Sequence, residues 1–144
     1  MPLAALLCLL GVVVGGWAAL PEGRAVPRDA YAALATAASA HGLSISGVEP
    51  AQWRPVPVWV AYHPQRLLRR LRGRRAGPDD EEAVRYTLVD AETRAEVTCE
   101  MQRREGAVVW IWLDGPLPEA PRIKAVRADV RAALPWVPVG APWQ

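Results

Sequence analysis

The chain has no phenylalanine and no asparagine, and Lys124 is its single lysine among seventeen basic residues. Isoleucine is scarce as well, occurring only at Ile45, Ile111 and Ile123. Because these four amino acids have A/T-rich codons, the composition indicates a GC-rich bacterial genome. The abundance of arginine then partly reflects coding bias, which weakens any argument based on arginine content alone.

Residues that commonly carry chemistry are also few. Cys8 lies in an apolar run and leaves Cys99 as the only other cysteine, which excludes a disulfide framework within the domain. His41 and His63 have no cysteine or carboxylate at ligand spacing, so no metal site is expected. The sequence contains no glycine-rich phosphate loop and no serine in a nucleophile-elbow context. We therefore predict no catalytic residue and no cofactor, with an enzyme of unknown class as an alternative.

Residues 3–20 contain no charged side chain. As a helix the run would be about 27 Å long, close to the roughly 30 Å hydrocarbon core of a bilayer. It predicts a single transmembrane anchor at the bacterial inner membrane. A signal peptide cleaved after Ala18 and a buried core helix are the alternatives, although the positive n-region of a signal peptide is missing. Arg24 and Arg28 follow the run and leave the side of the following domain open.

The remaining chain is long enough for one domain with a core. Residues 21–27 are predicted to be a linker, residues 28–134 an α+β domain, and residues 135–144 an apolar tail containing proline and tryptophan. Hydrophobic periodicity predicts the order α-β-β-α-β-β-β-α, with a small antiparallel sheet and packed helices. The helices are expected at 28–41, 64–71 and 121–134, and the strands at 43–48, 56–62, 84–90, 94–103 and 107–113.

Two segments carry a resemblance to known domains. Residues 34–50 are a predicted helix followed by Gly-Leu-Ser-Ile, and residues 56–71 are a predicted strand followed by a leucine-rich helix. This order resembles the small ferredoxin-like periplasmic domains of secretion and pilus assembly proteins of the inner membrane. The resemblance implies a ferredoxin-like α+β fold.

The last two strands form a hairpin whose register decides which side chains are buried. A two-residue turn at 104–105 or 105–106 pairs odd positions with even ones. Trp110 and Trp112 are then predicted on the core face. They would share it with Val97, Cys99 and Met101.

That register puts Val109, Ile111 and Leu113 on the opposite, otherwise polar face, where they would need cover. Together with Trp136 and Trp143 of the tail, they are predicted to bind a partner protein, because contiguous apolar patches and tryptophans mark interfaces. The alternative for the tail is that it folds back on its own sheet.

A basic cluster follows the second predicted strand. Four arginines are expected to approach one side of helix 64–71: Arg66, Arg69, Arg70 and Arg74. They could contact anionic lipid headgroups or an acidic patch of a partner. The alternatives are a solvated face neutralised by the acids at 79–82 and, less favoured because no aromatic residue interleaves the arginines, nucleic acid.

These features together predict a non-catalytic accessory or assembly subunit of a larger bacterial membrane complex. Its partners would be other membrane protein subunits and, through residues 3–20, the bilayer itself. An exported soluble binding domain, released by signal cleavage, is the alternative.

Overall fold

A computed structural model of the protein describes residues 2–19, 23–54 and 81–140. Within them the chain is α+β, as predicted, with three α-helices and one five-stranded mixed sheet. The helices are α1 (Pro2–Ala19), α2 (Pro27–Ala40) and α3 (Ala120–Ala133), with a 3₁₀ turn at Leu117–Glu119. The strands are β1 (Leu43–Ala51), β2 (Glu81–Asp90), β3 (Glu96–Arg104), β4 (Ala107–Asp114) and β5 (Val139–Gly140).

The chain divides into two compact units, one containing α1 and the other containing the sheet with α2 and α3. Helix α1 consists of apolar residues, and its side chains from residue 2 to residue 13 are exposed. Within the described residues, no helix has the length and apolarity needed to cross a bilayer. The predicted transmembrane helix is therefore unsupported by the fold and stays a hypothesis.

The five strands follow one another across the sheet in chain order. Neighbours from β1 to β4 are antiparallel, whereas β4 and β5 are parallel, so the sheet is mixed rather than purely antiparallel as predicted. This consecutive order differs from the interleaved split βαβ order of a ferredoxin-like fold. The predicted strand 56–62 and helix 64–71 lie outside the described residues.

Helices α2 and α3 cover one face of the sheet and form the core with it. Leu34 of α2 and Val126 and Val130 of α3 are fully buried, as their helical spacing predicts. Alternate side chains of β3 meet them, including Val97, Cys99 and Met101. This first face of the sheet is therefore apolar and closed by the helices.

A β-bulge at Val109 sets the register of the β3–β4 hairpin. The turn at Glu105 and Gly106 has two residues and positive φ at both, as a type I′ hairpin turn requires. Arg103 pairs with Val108, but Gln102 pairs with Trp110, which leaves Val109 as the extra residue.

The bulge overturns the predicted face assignment of β4. Cys99 lies opposite Leu113 and Met101 opposite Ile111, so these β4 side chains are in the core. Trp112, like Trp110, is on the other face. The predicted turn position is right, but a one-residue insertion reverses the face of every later side chain in the strand.

The two ends of the domain both lie along β4. Ala25, in the predicted linker, forms a two-way backbone bridge with Val108, with N···O distances of 2.9 and 2.8 Å. Val137 and Val139 of the predicted tail are buried in the core, and the Ile111 amide donates to the Pro138 carbonyl at 2.9 Å. Residues 135–140 therefore fold back on their own sheet, the alternative to partner binding.

One ion pair joins α3 to the β2–β3 turn. The Asp90 carboxylate accepts from the Arg122 guanidinium at 2.5 Å and from the backbone amides of Glu92 and Thr93. The Arg122 hydrogen bond, followed by the two amides, holds the pKa of Asp90 at about 2, below its ordinary value of 3.8. The turn and the start of α3 are thus fixed to each other by a charged contact.

The register can be tested with two leucines. Leu113→Ala should lower the free energy of unfolding by about 2–5 kcal/mol, because Leu113 is fully buried in the core. Leu117→Ala is the control, since Leu117 is 87% exposed and should change stability by less than about 0.5 kcal/mol. Urea denaturation measures both, and equal effects would contradict the bulged register.

The Asp90–Arg122 pair predicts a pH dependence. A carboxylate whose pKa is lowered on folding stabilises the fold above its unfolded pKa and loses this contribution as pH falls towards about 2. Asp90→Asn should therefore lower Tm at neutral pH, and its difference from wild type should shrink between about pH 4 and pH 2. Arg122→Gln should reduce the pH dependence in the same way. A wild-type-like pH slope in both variants would refute this role.

Candidate functional site

The second face of the sheet, opposite the helices, carries a row of alternating charges. Glu49, Arg85 and Glu100 lie directly opposite one another on β1, β2 and β3. Arg85 donates to Glu49 and to Glu100, at 3.4 Å in each case. The opposite charges are adjacent because cross-strand partners share a face in an antiparallel sheet.

Glu100 is the most buried member of this row. Its side chain has no exposed surface, whereas that of Glu49 is 60% exposed. Besides Arg85, the Arg54 guanidinium contacts the Glu100 carboxylate at 3.6 Å, and the Gln102 amide donates to it at 3.5 Å. A buried carboxylate needs such partners, because removing an unpaired charge from water costs several kcal/mol or more.

The segment after β1 joins this network to the aromatic side chains. The Arg54 backbone amide donates to Gln102 at 3.0 Å, and the Arg54 guanidinium lies 4.9 Å from the ring centre of Trp112. Its neighbour Trp53 has the Arg104 guanidinium 5.1 Å from its ring centre. Both contacts are within the distance at which a cation is attracted to an aromatic face.

Arg104 is nearly buried at the edge of this network. Its guanidinium contacts Glu81 at 3.0 Å, but its Nε and Nη1 atoms have no acceptor in the described part of the chain. The indole nitrogen of Trp112 is likewise buried without an acceptor there. These donors suit an oxygen acceptor such as a carboxylate or a water molecule.

We call the seven residues of this network the charged layer: Trp53, Arg54, Arg85, Glu100, Gln102, Arg104 and Trp112. A groove of about 390 Å³ opens beside it, lined in part by Ala51, Trp53 and Glu81. The arrangement holds cationic and aromatic groups in fixed positions. That suits binding and positioning of an acidic or aromatic group more than proton transfer.

A second groove of about 710 Å³ runs between α2 and α3. It is lined mainly by alanines, including Ala33, Ala37 and Ala133, with Asp129 at its side. His41, which follows α2, bonds Asp129 at 2.8 Å. His41 therefore links the end of α2 to α3.

The predicted partner-binding residues are not brought together. Val109, Ile111 and Leu113 are buried, and the last two are core residues, so they do not form an exposed patch. Trp136 is 61% exposed, while Trp143 lies outside the described residues. Of the predicted set, Trp136 alone is both described and accessible to a partner.

The other candidates are less informative. Burial raises the pKa of the Cys99 thiol well above its ordinary value, which makes it an inert core residue. His63 lies outside the described residues. So do the four arginines that are predicted to contact lipid: Arg66, Arg69, Arg70 and Arg74. Within the ranges that the structure describes, no three His, Cys, Asp or Glu side chains are placed to hold a metal ion.

Sequence reasoning missed the charged layer. The alternation of β3 places Glu100 and Gln102 on one face, which is the signal that was present. Without the bulge at Val109, however, Trp112 is assigned to the opposite face, so its contact with Arg54 is not predicted. The contacts of Arg54 come from an irregular segment, where no periodicity indicates a direction.

Comparison with known proteins adds no assignment. No protein-family model matches the chain, and no match is found among the curated proteins or the solved structures.

The charged layer predicts that a buried carboxylate contributes more to the stability of the fold than an exposed one. Arg85 contacts Glu49 and Glu100 at the same distance, so the two acids are a matched pair. Glu100→Gln should cost about 1–3 kcal/mol, because the hydrogen bonds to a buried charged group are lost. Glu49→Gln should cost less than about 1 kcal/mol, as exposed ion pairs do.

Removing the shared cation should be the most damaging change. Arg85→Met leaves the buried Glu100 charge with fewer partners, and adding Glu100→Gln to that variant should restore part of the stability. Chemical denaturation of the two single variants and the double variant measures this coupling. Simple additivity would show that the pair does not interact.

Proposed function

We propose that the protein is a non-catalytic accessory or assembly subunit of a bacterial membrane complex, held at the membrane by α1. The observation that carries this proposal is the apolar surface of α1. Leu6, Leu10 and Val12 are each more than half exposed, and the helix has no polar face to turn towards water. A helix that is apolar all round belongs in lipid or in a protein interior.

The size of this exposed surface supports the proposal. Seven large side chains of α1 are 58–72% exposed: Leu3, Leu6, Leu7, Leu9, Leu10, Val12 and Val13. Transferring them from water to an apolar environment would be favourable by on the order of 10 kcal/mol. An environment other than water is thus the stable location for α1. We assign it to the inner membrane.

The domain that follows α1 has the properties of a binding module. Three side chains of its charged layer are partly exposed and are held in place by the network: Trp53, Arg54 and Arg85. Both residue types are enriched at the centres of protein interfaces. We assign it the role of binding other membrane subunits. In the predicted helix 64–71, Arg66 and its basic neighbours would contact anionic headgroups.

An exported soluble binding domain is the second candidate. The described core lies entirely between Ala25 and Val139, so cleavage after Ala18 would not remove any part of it. The two functions differ in the fate of α1. A retained α1 keeps the domain at the membrane, and a cleaved one releases it.

Membrane fractionation tests the anchor. The full chain, with Met1 retained, should stay in the membrane pellet after a carbonate wash. Leu6→Arg together with Leu10→Arg should move it to the supernatant, because each arginine in the middle of a membrane segment costs about 3 kcal/mol. Leu117→Arg is the matched control, since it charges an exposed leucine outside α1 and should leave the chain in the pellet.

Two results would count against the proposal. A soluble mature form that begins at Ala19 would favour the exported domain. A chain that stays in the pellet but runs as a monomer in mild detergent would preserve the anchor and exclude the subunit role.

A further inference from the structure

Trp136 occupies a backbone position that is unfavourable for its residue type. It lies in the turn after α3, in which the Val137 amide donates to the Leu134 carbonyl at 3.2 Å. Pro135 is the second residue of this turn, and Trp136, the third, has φ = +74°. A turn with proline second and positive φ third is of type II, where the third residue is usually glycine. The fold alone would favour glycine here.

The side chain of Trp136 contributes little to the core. It is 61% exposed, whereas Val137, the next residue, is buried. A large aromatic side chain is thus exposed to solvent at a residue whose backbone conformation is strained. Backbone strain of this kind is concentrated at functional sites.

The position of Trp136 in the domain indicates what it contacts. A Cβ atom on Gly23 would overlap the Trp136 carbonyl oxygen, so the two backbones pack too closely for any other residue at Gly23. Gly23 follows Ala19, the last residue of α1, by four residues. A linker of four residues spans at most about 14 Å, even when it is fully extended.

We propose that Trp136 inserts into the headgroup region of the bilayer beside the point where α1 enters it. The inference depends on the proposed membrane attachment of α1. Tryptophan suits this region because its ring is largely apolar while its indole N–H can still bond to water or to a lipid oxygen. Arg24, whose guanidinium bonds to the Glu105 carbonyl at 3.1 Å, places a cation at the same end of the domain.

Depth-dependent quenching tests this placement on the full chain in phosphatidylcholine–phosphatidylglycerol vesicles. An environment-sensitive thiol dye is attached to a Trp136→Cys variant that also carries Cys8→Ala, while buried Cys99 stays unlabelled in the folded protein. Lipids with a nitroxide on the headgroup should quench this dye more than lipids with a nitroxide deep in the acyl chain. A Leu117→Cys variant, also with Cys8→Ala, is the control. Leu117 follows the far end of β4, about 20 Å from the end at which Ala25 pairs. Its label should not be quenched.

The native Cys8 thiol reports on α1 separately. If the Cys8 label is quenched by the deep nitroxide and the label at position 136 is not quenched, the inference about Trp136 is wrong and the anchor stands. If the Cys8 label is not quenched by either lipid, the proposed attachment itself fails. If the label at position 136 is shielded from both nitroxides and from aqueous iodide, it is covered by protein, from this chain or from a second copy, which also overturns the lipid contact.

A second variant separates this role from a structural one. Trp136→Gly should melt at or above the wild-type temperature, because glycine adopts a positive φ without strain. A fall in Tm would show that the indole ring supports the fold. It would contradict the inference that Trp136 is retained for a contact outside the domain. Trp136→Ala is the matched variant, since it removes the ring but keeps a Cβ atom and should melt below Trp136→Gly.

Discussion

The register of the β3–β4 hairpin is the constraint on which the rest of the domain depends. One extra residue, Val109, separates the first two pairs of the hairpin from those that follow. It turns Ile111 and Leu113 towards the helices and turns Trp112 towards the charged layer. The bulge thus decides which β4 side chains lie on each face of the sheet, since it changes the direction of every later side chain in the strand.

Periodicity was sufficient where a segment is long and one of its faces is buried. The helical stripes of α2 and α3, the alternation of β3 and the hairpin turn at Glu105 and Gly106 were all predictable. The bulge was not, because nothing in Ala-Val-Val-Trp distinguishes an inserted valine from a paired one. The bridge of Ala25 to Val108 was also invisible, because it joins segments 83 residues apart through backbone atoms alone.

The candidate site was less predictable than the fold for the same reason. Glu100 is fully buried and Glu49 is largely exposed, although both are glutamates on strands with polar neighbours. What distinguishes them is their position in the sheet, since β3 is central and β1 is at an edge of the described sheet. The order of strands follows from long-range packing, which local patterns do not encode.

The pairing of both ends of the domain with β4 has a consequence for its synthesis. Before residues 137–140 have left the ribosome, β4 has the Ala25 bridge at one end and no β5 beside Ile111 and Trp112. An apolar strand with unpaired backbone groups is a template for association with other chains. The edge of β4 therefore stays open until residues 137–140 have emerged and β5 can pair with it.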